Sequence, residues 1–136
     1  MQTHLAHMQF NIDPANQQFY KDLMDFLGWQ TLYADEGTLG VADRNGASLW
    51  FVGEARPVSN DYDGPGMNHL AIGTETQGDV DAVAAYLREW GVEHLFETPR
   101  HRPEFVGDES QTYYHVMFES PDRILLEAVY TGPKSA

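Results

Sequence analysis

Two histidines each head a stretch with strand-like alternation: His7 before Met8-Gln9-Phe10-Asn11-Ile12, and His69, 62 residues later, before Leu70-Ala71-Ile72. A glutamate, Glu127, sits inside the apolar run Leu125-Leu126-Glu127-Ala128-Val129. Imidazole nitrogen and carboxylate oxygen suit Fe(II), Mn, Co, Ni or Zn, and two imidazoles with one carboxylate leave coordination positions open for substrate. Burying an unpaired carboxylate costs on the order of several kcal/mol, so a cation or a hydrogen-bond donor must accompany Glu127. His115, Tyr114 and Tyr113 precede Glu127 by 12 to 14 residues on an adjacent strand pattern, where one face can supply an acid/base. Arg100-His101-Arg102, ahead of Pro103-Glu104-Phe105, is a basic cluster able to clamp an anionic group, and Trp50, Tyr62, Tyr113 and Phe118 can line an apolar pocket. Each residue taken singly also reads as ordinary structure: core packing for the aromatics, a solvated loop for the basic cluster, polar strand positions for the histidines. His4 differs from His7 in strand parity and points to the opposite face.

Positioning these groups falls to elements that occur twice. In the first half, the strand led by His7 ends at Asp13-Pro14, with Pro suited to the first helical position. Phe19, Tyr20, Leu23, Met24, Phe26 and Leu27 recur at helical spacing up to a stop at Gly28. Strands over Thr31–Ala34, Thr38–Ala42 and Ser48–Val52 follow, the last two joined by Asp43-Arg44-Asn45-Gly46 with its Asn-Gly hairpin signature. The second half repeats the order: strand 69–72, helix Asp79–Trp90 carrying Val80, Val83, Ala84 and Leu87, a stop at Gly91, and a strand Val92–Glu97. A long polar loop Pro99–Ser110, a strand Thr112–Glu119, a turn at Pro121-Asp122-Arg123 and a strand Ile124–Tyr130 complete it. Each half reads β-α-β-β-β. The expected organisation is one domain over 1–136, with module one about 1–55, a Gly/Pro/Asn/Asp-rich linker 56–66, module two about 67–131 and a short C-terminal tail.

A chain of 136 residues with 42% apolar residues and 12% aromatic ones can bury a real core and does not read as disordered. No apolar run approaches the ~18 residues of a membrane span, Met1–Phe10 does not read as a secretory signal, and there is no cysteine for a disulfide or thiolate site. Twenty-one acidic against eight basic residues give a net charge of −13, which disfavours nucleic acid and anionic membrane surfaces as partners. The expectation is a soluble cytoplasmic protein acting on a small molecule.

The paired β-α-β-β-β units, the His-led first strands, the Leu27-Gly28 and Trp90-Gly91-Val92 helix stops, and Phe118-Glu119-Ser120-Pro121-Asp122-Arg123-Ile124-Leu125-Leu126-Glu127 together resemble the vicinal oxygen chelate superfamily. That group includes glyoxalase I, type I extradiol dioxygenases, fosfomycin-resistance enzymes, methylmalonyl-CoA epimerase and bleomycin-binding proteins. The resemblance spans nearly the whole chain and is most specific at its C-terminal stretch, where Arg123 stands in place of the usual Gly. It implies an α+β, glyoxalase-like fold of two βαβββ modules forming a cupped, barrel-like sheet. It further implies a divalent metal (Fe, Mn, Ni, Co or Zn) held by His7, His69 and Glu127, and a homodimer. The glyoxalase I type carries a further Glu in its first unit; counting from the turn, that place here is Trp50, with Phe51 beside it, and neither can ligate. Glu54 is displaced past Gly53 and reads as a surface acid.

The resulting expectation is a metal-dependent enzyme using a 2-His-1-carboxylate site on a small chelating substrate. Extradiol-dioxygenase-like chemistry is slightly favoured over glyoxalase- or epimerase-like chemistry, with His115, Tyr114 and Tyr113 as acid/base candidates and Trp50, Phe118, Arg100 and Arg102 around the substrate. A fosfomycin-like reading is weaker, because a phosphonate calls for more basic residues than the two lysines, Lys21 and Lys134, provide. The alternative is a metal-free ligand-sequestering protein resembling the bleomycin-resistance proteins, which an acidic chain suits.

Overall fold

The structure, a computed structural model, describes residues 1–135; the last residue of the tail, Ala136, lies outside the described residues. The chain divides between Ser59 and Asn60 into two compact units. The first contains β1 (His7–Asn11), α1 (Gln17–Phe26), β2 (Gln30–Ala34), β3 (Thr38–Ala42) and β4 (Ser48–Val52). The second contains β5 (Leu70–Gly73), α2 (Gln77–Glu89), β6 (Leu95–His101), β7 (Gln111–Glu119) and β8 (Leu125–Pro133). Each unit forms one four-stranded mixed sheet, ordered β1-β4-β3-β2 and β5-β8-β7-β6, so the two follow the same topology. This is an α+β arrangement of two βαβββ units. Among the described residues no helix is long and apolar enough to cross a membrane.

Local chemistry explains both helices. Asp13 accepts a hydrogen bond from the Ala15 amide at 2.9 Å and starts a 3-10 turn over Pro14–Asn16 that leads into α1. Tyr20, Leu23 and Met24 then bury one face, and Tyr20 stacks on Phe51 at 4.4 Å between ring centroids. α2 begins at Gln77, two residues before the expected start, because Thr76 and Asp79 form a reciprocal capping box. Gly28 (φ 83°) and Gly91 (φ 71°) end the helices in the left-handed region, and the amides of Trp29 and Val92 fold back onto the carbonyls of Met24 and Leu87.

The turn before β8 meets the same demand without glycine. Arg123 has φ 58°, a conformation costing about 1–3 kcal/mol for a side-chain-bearing residue. The Ser120 hydroxyl accepts the amides of Asp122 (3.2 Å) and Ile124 (3.1 Å), while the Arg123 guanidinium donates to Glu119 at 3.3 Å.

β6 departs from the expected Val92–Glu97 strand and Pro99–Ser110 loop. It runs Leu95–His101, straight through Pro99, and resumes pairing at Arg100↔His115 and His101↔Tyr114. The pairing slips between Leu95 and Arg100, where Phe96 and Glu97 take positive φ. β6 is an edge strand, so Pro99 breaks no interior ladder, and the bulge destroys the alternation that would have marked a strand. Arg100 and His101 therefore lie on the sheet and not in a loop; Arg102 sits at its end, its amide bonded to the Tyr113 carbonyl at 2.7 Å.

In the first sheet, Leu39, Val41, Leu49 and Phe51 form the buried, α1-facing side with Phe10. The other side carries His7, Gln9, Ser48 and Trp50 in register, His7↔Ser48 and Gln9↔Trp50. The Trp50 indole lies over Gly40, its cross-strand partner, and donates to the Ser48 hydroxyl at 3.0 Å. A Cβ on Gly40 would come within 2.5 Å of that ring. Gly40→Ala is therefore expected to destabilise the protein by about 1–3 kcal/mol, read as a lower urea midpoint at unchanged slope; an unshifted midpoint would show that Trp50 is free to swing away.

Candidate functional site

In the second sheet, alternation along β7 and β8 sorts the side chains into two sets. Val116, Phe118, Leu126 and Ala128 are buried on the side that packs against α2. Tyr113, His115, Met117 and Glu127 take the other side, as does Arg100 through its pairing with His115. Tyr114 therefore does not share a face with its neighbours: its hydroxyl donates to Asp81 of α2 at 2.6 Å, and burial together with that bond pushes it up to about 12. Phe118 likewise packs in the core, away from Glu127.

Glu127 is the centre of the site, 2% exposed. Its Oε1 accepts from the Tyr113 hydroxyl and from His115 Nδ1 at 3.0 Å; its Oε2 faces His69 Nε2 at 2.8 Å. Burial pushes the Glu127 carboxyl upward, but the hydrogen bonds from His115 and Tyr113 outweigh it and hold the group below its ordinary value. Burial, followed by the bond to Glu127, raises the Tyr113 phenol well above its ordinary range, so Tyr113 remains a donor.

The proton positions follow from these partners. Asn68 donates through Nδ2 to the Tyr62 carbonyl at 2.9 Å, which turns its Oδ1 to His69 Nδ1 at 2.8 Å. His69 Nδ1 must therefore carry hydrogen, and in a neutral ring Nε2 is a lone pair facing a carboxylate oxygen. Two acceptors at 2.8 Å require a proton or a cation between them. His115 has a similar asymmetry: Nδ1–H serves Glu127, which leaves Nε2 as an acceptor, buried and with no protein partner among the described residues.

His69 Nε2 and Glu127 Oε2 are thus a donor pair suited to a divalent cation, with Asn68 orienting the imidazole as metal-bound histidines require. Among the described residues no group of three or more His, Asp or Glu side chains is gathered as a metal cluster. His7 is exposed at the start of β1, in the first unit. Trp50 occupies the register place that Glu127 holds in the second unit, since Gln9↔Trp50 matches Ala71↔Glu127 two residues after each histidine. Arg102 bonds Glu104 and lies 4.5 Å over the Phe105 ring, and Phe105 in turn meets Tyr113 edge-on at 5.2 Å. Sequence reasoning missed Asn68; an amide side chain immediately before a candidate ligand histidine was its only signal.

The chain is similar over nearly its full length to several solved structures. A protein proposed to be a glyoxalase from Bacillus halodurans is 25% identical, with a TM-score of 0.78 over 95% of this chain and 96% of that one. A glyoxalase/dioxygenase from Nostoc punctiforme is 14% identical, with a TM-score of 0.69 over 96% and 92% of the two chains. The fosfomycin-resistance protein FosX from Listeria monocytogenes, complexed with Mn(II) and sulfate, is 18% identical, with a TM-score of 0.68 over 96% and 91%. No family model matches the sequence, and no curated protein does. The chain has the fold of the vicinal oxygen chelate superfamily.

A carboxylate held below its ordinary value stabilises the fold above the unfolded-state value, near 4.5, and that stability is lost as pH falls through the lowered folded value. Glu127→Gln should therefore lose about 3–5 kcal/mol at pH 7 and show a shallower decline below pH 4.5 than wild type. Urea melts of EDTA-treated protein from pH 3 to 7 test this, and parallel pH profiles would contradict it.

Proposed function

We propose that this chain is a metal-dependent enzyme acting on a small chelating substrate, with His69 and Glu127 as ligands and His115 as the acid/base. The observation that carries the reading is the His69–Glu127 pair, two acceptors 2.8 Å apart with the imidazole already oriented by Asn68. The resemblance assigns His7 as the third ligand, and that assignment rests on sequence alone. The Mn(II) complex of FosX supports a divalent metal on this fold. A bound divalent cation would polarise a substrate oxygen and lower the barrier to forming an anion there.

The protein's own contribution lies in Glu127 and its donors. Tyr113 holds Oε1 as a neutral donor. Glu127 keeps the His115 ring in one tautomer and presents Nε2 as the atom that takes and returns a proton. Extradiol-dioxygenase-like ring cleavage stands ahead of glyoxalase- or epimerase-like isomerisation, because Trp50 stands at the register place of a second carboxylate and cannot ligate.

One observation favours a second reading, a metal-free ligand-sequestering protein. Tyr113, His115 and a His69 carrying a proton on Nε2 satisfy Glu127 without any metal ion.

Metal content after anaerobic purification separates the two. The expected result is one divalent ion per chain, lost in His69→Ala, with affinity about 10–100-fold weaker in Asn68→Ala. Iron would point to ring cleavage, nickel or zinc to isomerisation. A wild-type protein that holds no metal and takes up none of Fe, Mn, Co, Ni or Zn would sink the enzyme reading in favour of the second.

A further inference from the structure

Arg100 and His115 are cross-strand partners on the Glu127 side of the second sheet. Directly opposed residues of an antiparallel pair have Cβ atoms about 4.5–5.5 Å apart. Each carries a buried nitrogen with no protein partner among the described residues, Nε of Arg100 and Nε2 of His115. His115 is 2% exposed. Buried donors and acceptors are nearly always paired in native proteins, so unpaired ones on two cross-strand partners call for a hydrogen-bonding group to pair them.

Their chemistry is complementary. Arg100 Nε is an obligate donor on a permanent cation, whose Nη1 forms an ion pair with Glu97 at 3.7 Å, beyond hydrogen-bond reach. His115 Nε2 is an acceptor, because its Nδ1–H is committed to the Glu127 carboxylate. The bulge in β6, with Phe96 and Glu97 at positive φ, restores pairing at Arg100 and so sets this cation opposite His115. Arg102, by contrast, is spoken for by Glu104 and Phe105.

We propose that Arg100 and His115 form a subsite for a substrate bearing a carboxylate beside a hydroxyl: Arg100 Nε–H donates to the carboxylate, and His115 Nε2 accepts from the hydroxyl. The substrate class is then a 2-hydroxycarboxylate, whose anionic group suits the Arg100 guanidinium, engaged among the described residues only by the 3.7 Å ion pair with exposed Glu97. This deepens the reading of His115 as acid/base and rests on it, but it is tested without metal or turnover.

The probes are mandelate, phenylacetate, which lacks the hydroxyl, and 1-phenylethane-1,2-diol, which lacks the charge. They are titrated into EDTA-treated, full-length protein while the Arg100 Nε–H resonance is followed by NMR. Mandelate is expected to shift that resonance saturably, phenylacetate to bind several-fold more weakly, and the diol to leave it unmoved. Arg100→Gln should weaken mandelate binding about 10-fold or more, as loss of a charge-assisted hydrogen bond does, whereas Arg102→Gln should change it less than about 2-fold, as its guanidinium is engaged elsewhere.

An unmoved Arg100 resonance, or mandelate binding equal in Arg100→Gln and wild type, overturns the subsite; phenylacetate binding as tightly as mandelate overturns the part given to His115. Mandelate binding through Arg100 in a protein that takes up no metal upholds the subsite and sinks only the metal enzyme. A metal-loaded protein blind to mandelate does the reverse.

Discussion

A carboxylate that is almost wholly withdrawn from water must be surrounded by donors, and the second unit is organised around meeting that demand for Glu127. β7 supplies Tyr113 and His115, two residues apart and so on one face, and the residue just before β5 supplies His69. Register makes this possible: Glu127 lies opposite Met117 on one side and Ala71 on the other, which leaves the longer side chains of Tyr113, His115 and His69 to reach it diagonally. Met117 is apolar and Ala71 is small. Donors for the carboxylate therefore come from one same-face step away for His115 and His69 and two for Tyr113, and the direction of approach fixes Nε2 as the ring nitrogen that His115 leaves free.

The two units show how one topology diverges. Both sheets have the same strand order, both helices end on a left-handed glycine, and a histidine opens β1 in one unit and immediately precedes β5 in the other. Two residues along, Gln9 faces Trp50 in one and Ala71 faces Glu127 in the other. Trp50 needs the flat space above Gly40, whereas Glu127 needs donors, so a single exchange at equivalent places puts an indole at the middle of one sheet face and a buried carboxylate with its hydrogen-bond network at the middle of the other.

Much of the fold was legible because its signals are local. Thr38–Ala42 and Ser48–Val52, flanking an Asn-Gly turn, are strands with those bounds, and Gly28 and Gly91 stop helices because few other residues tolerate positive φ. β6 was not legible. A proline, a charged run and two residues at positive φ read as a loop, although the strand resumes once Arg100 meets His115. Tyr114 and Phe118 show the opposite limit, in which strand parity alone would have separated them from Tyr113 and His115.

Alternation, helix periodicity and turn residues act within a few positions, so the sequence by itself determined the doubled β-α-β-β-β order and included His69, His115, Tyr113 and Glu127, which the structure brings together, among its candidate site residues. What joins them are contacts between strands up to 58 residues apart, and only the tertiary structure decided those: the donors that keep Glu127 ionised, the Asn68 amide that turns His69, and the Arg100–His115 pairing across a bulge. Register between distant strands has no local signature, because it is set by which faces are buried together once the sheet has formed.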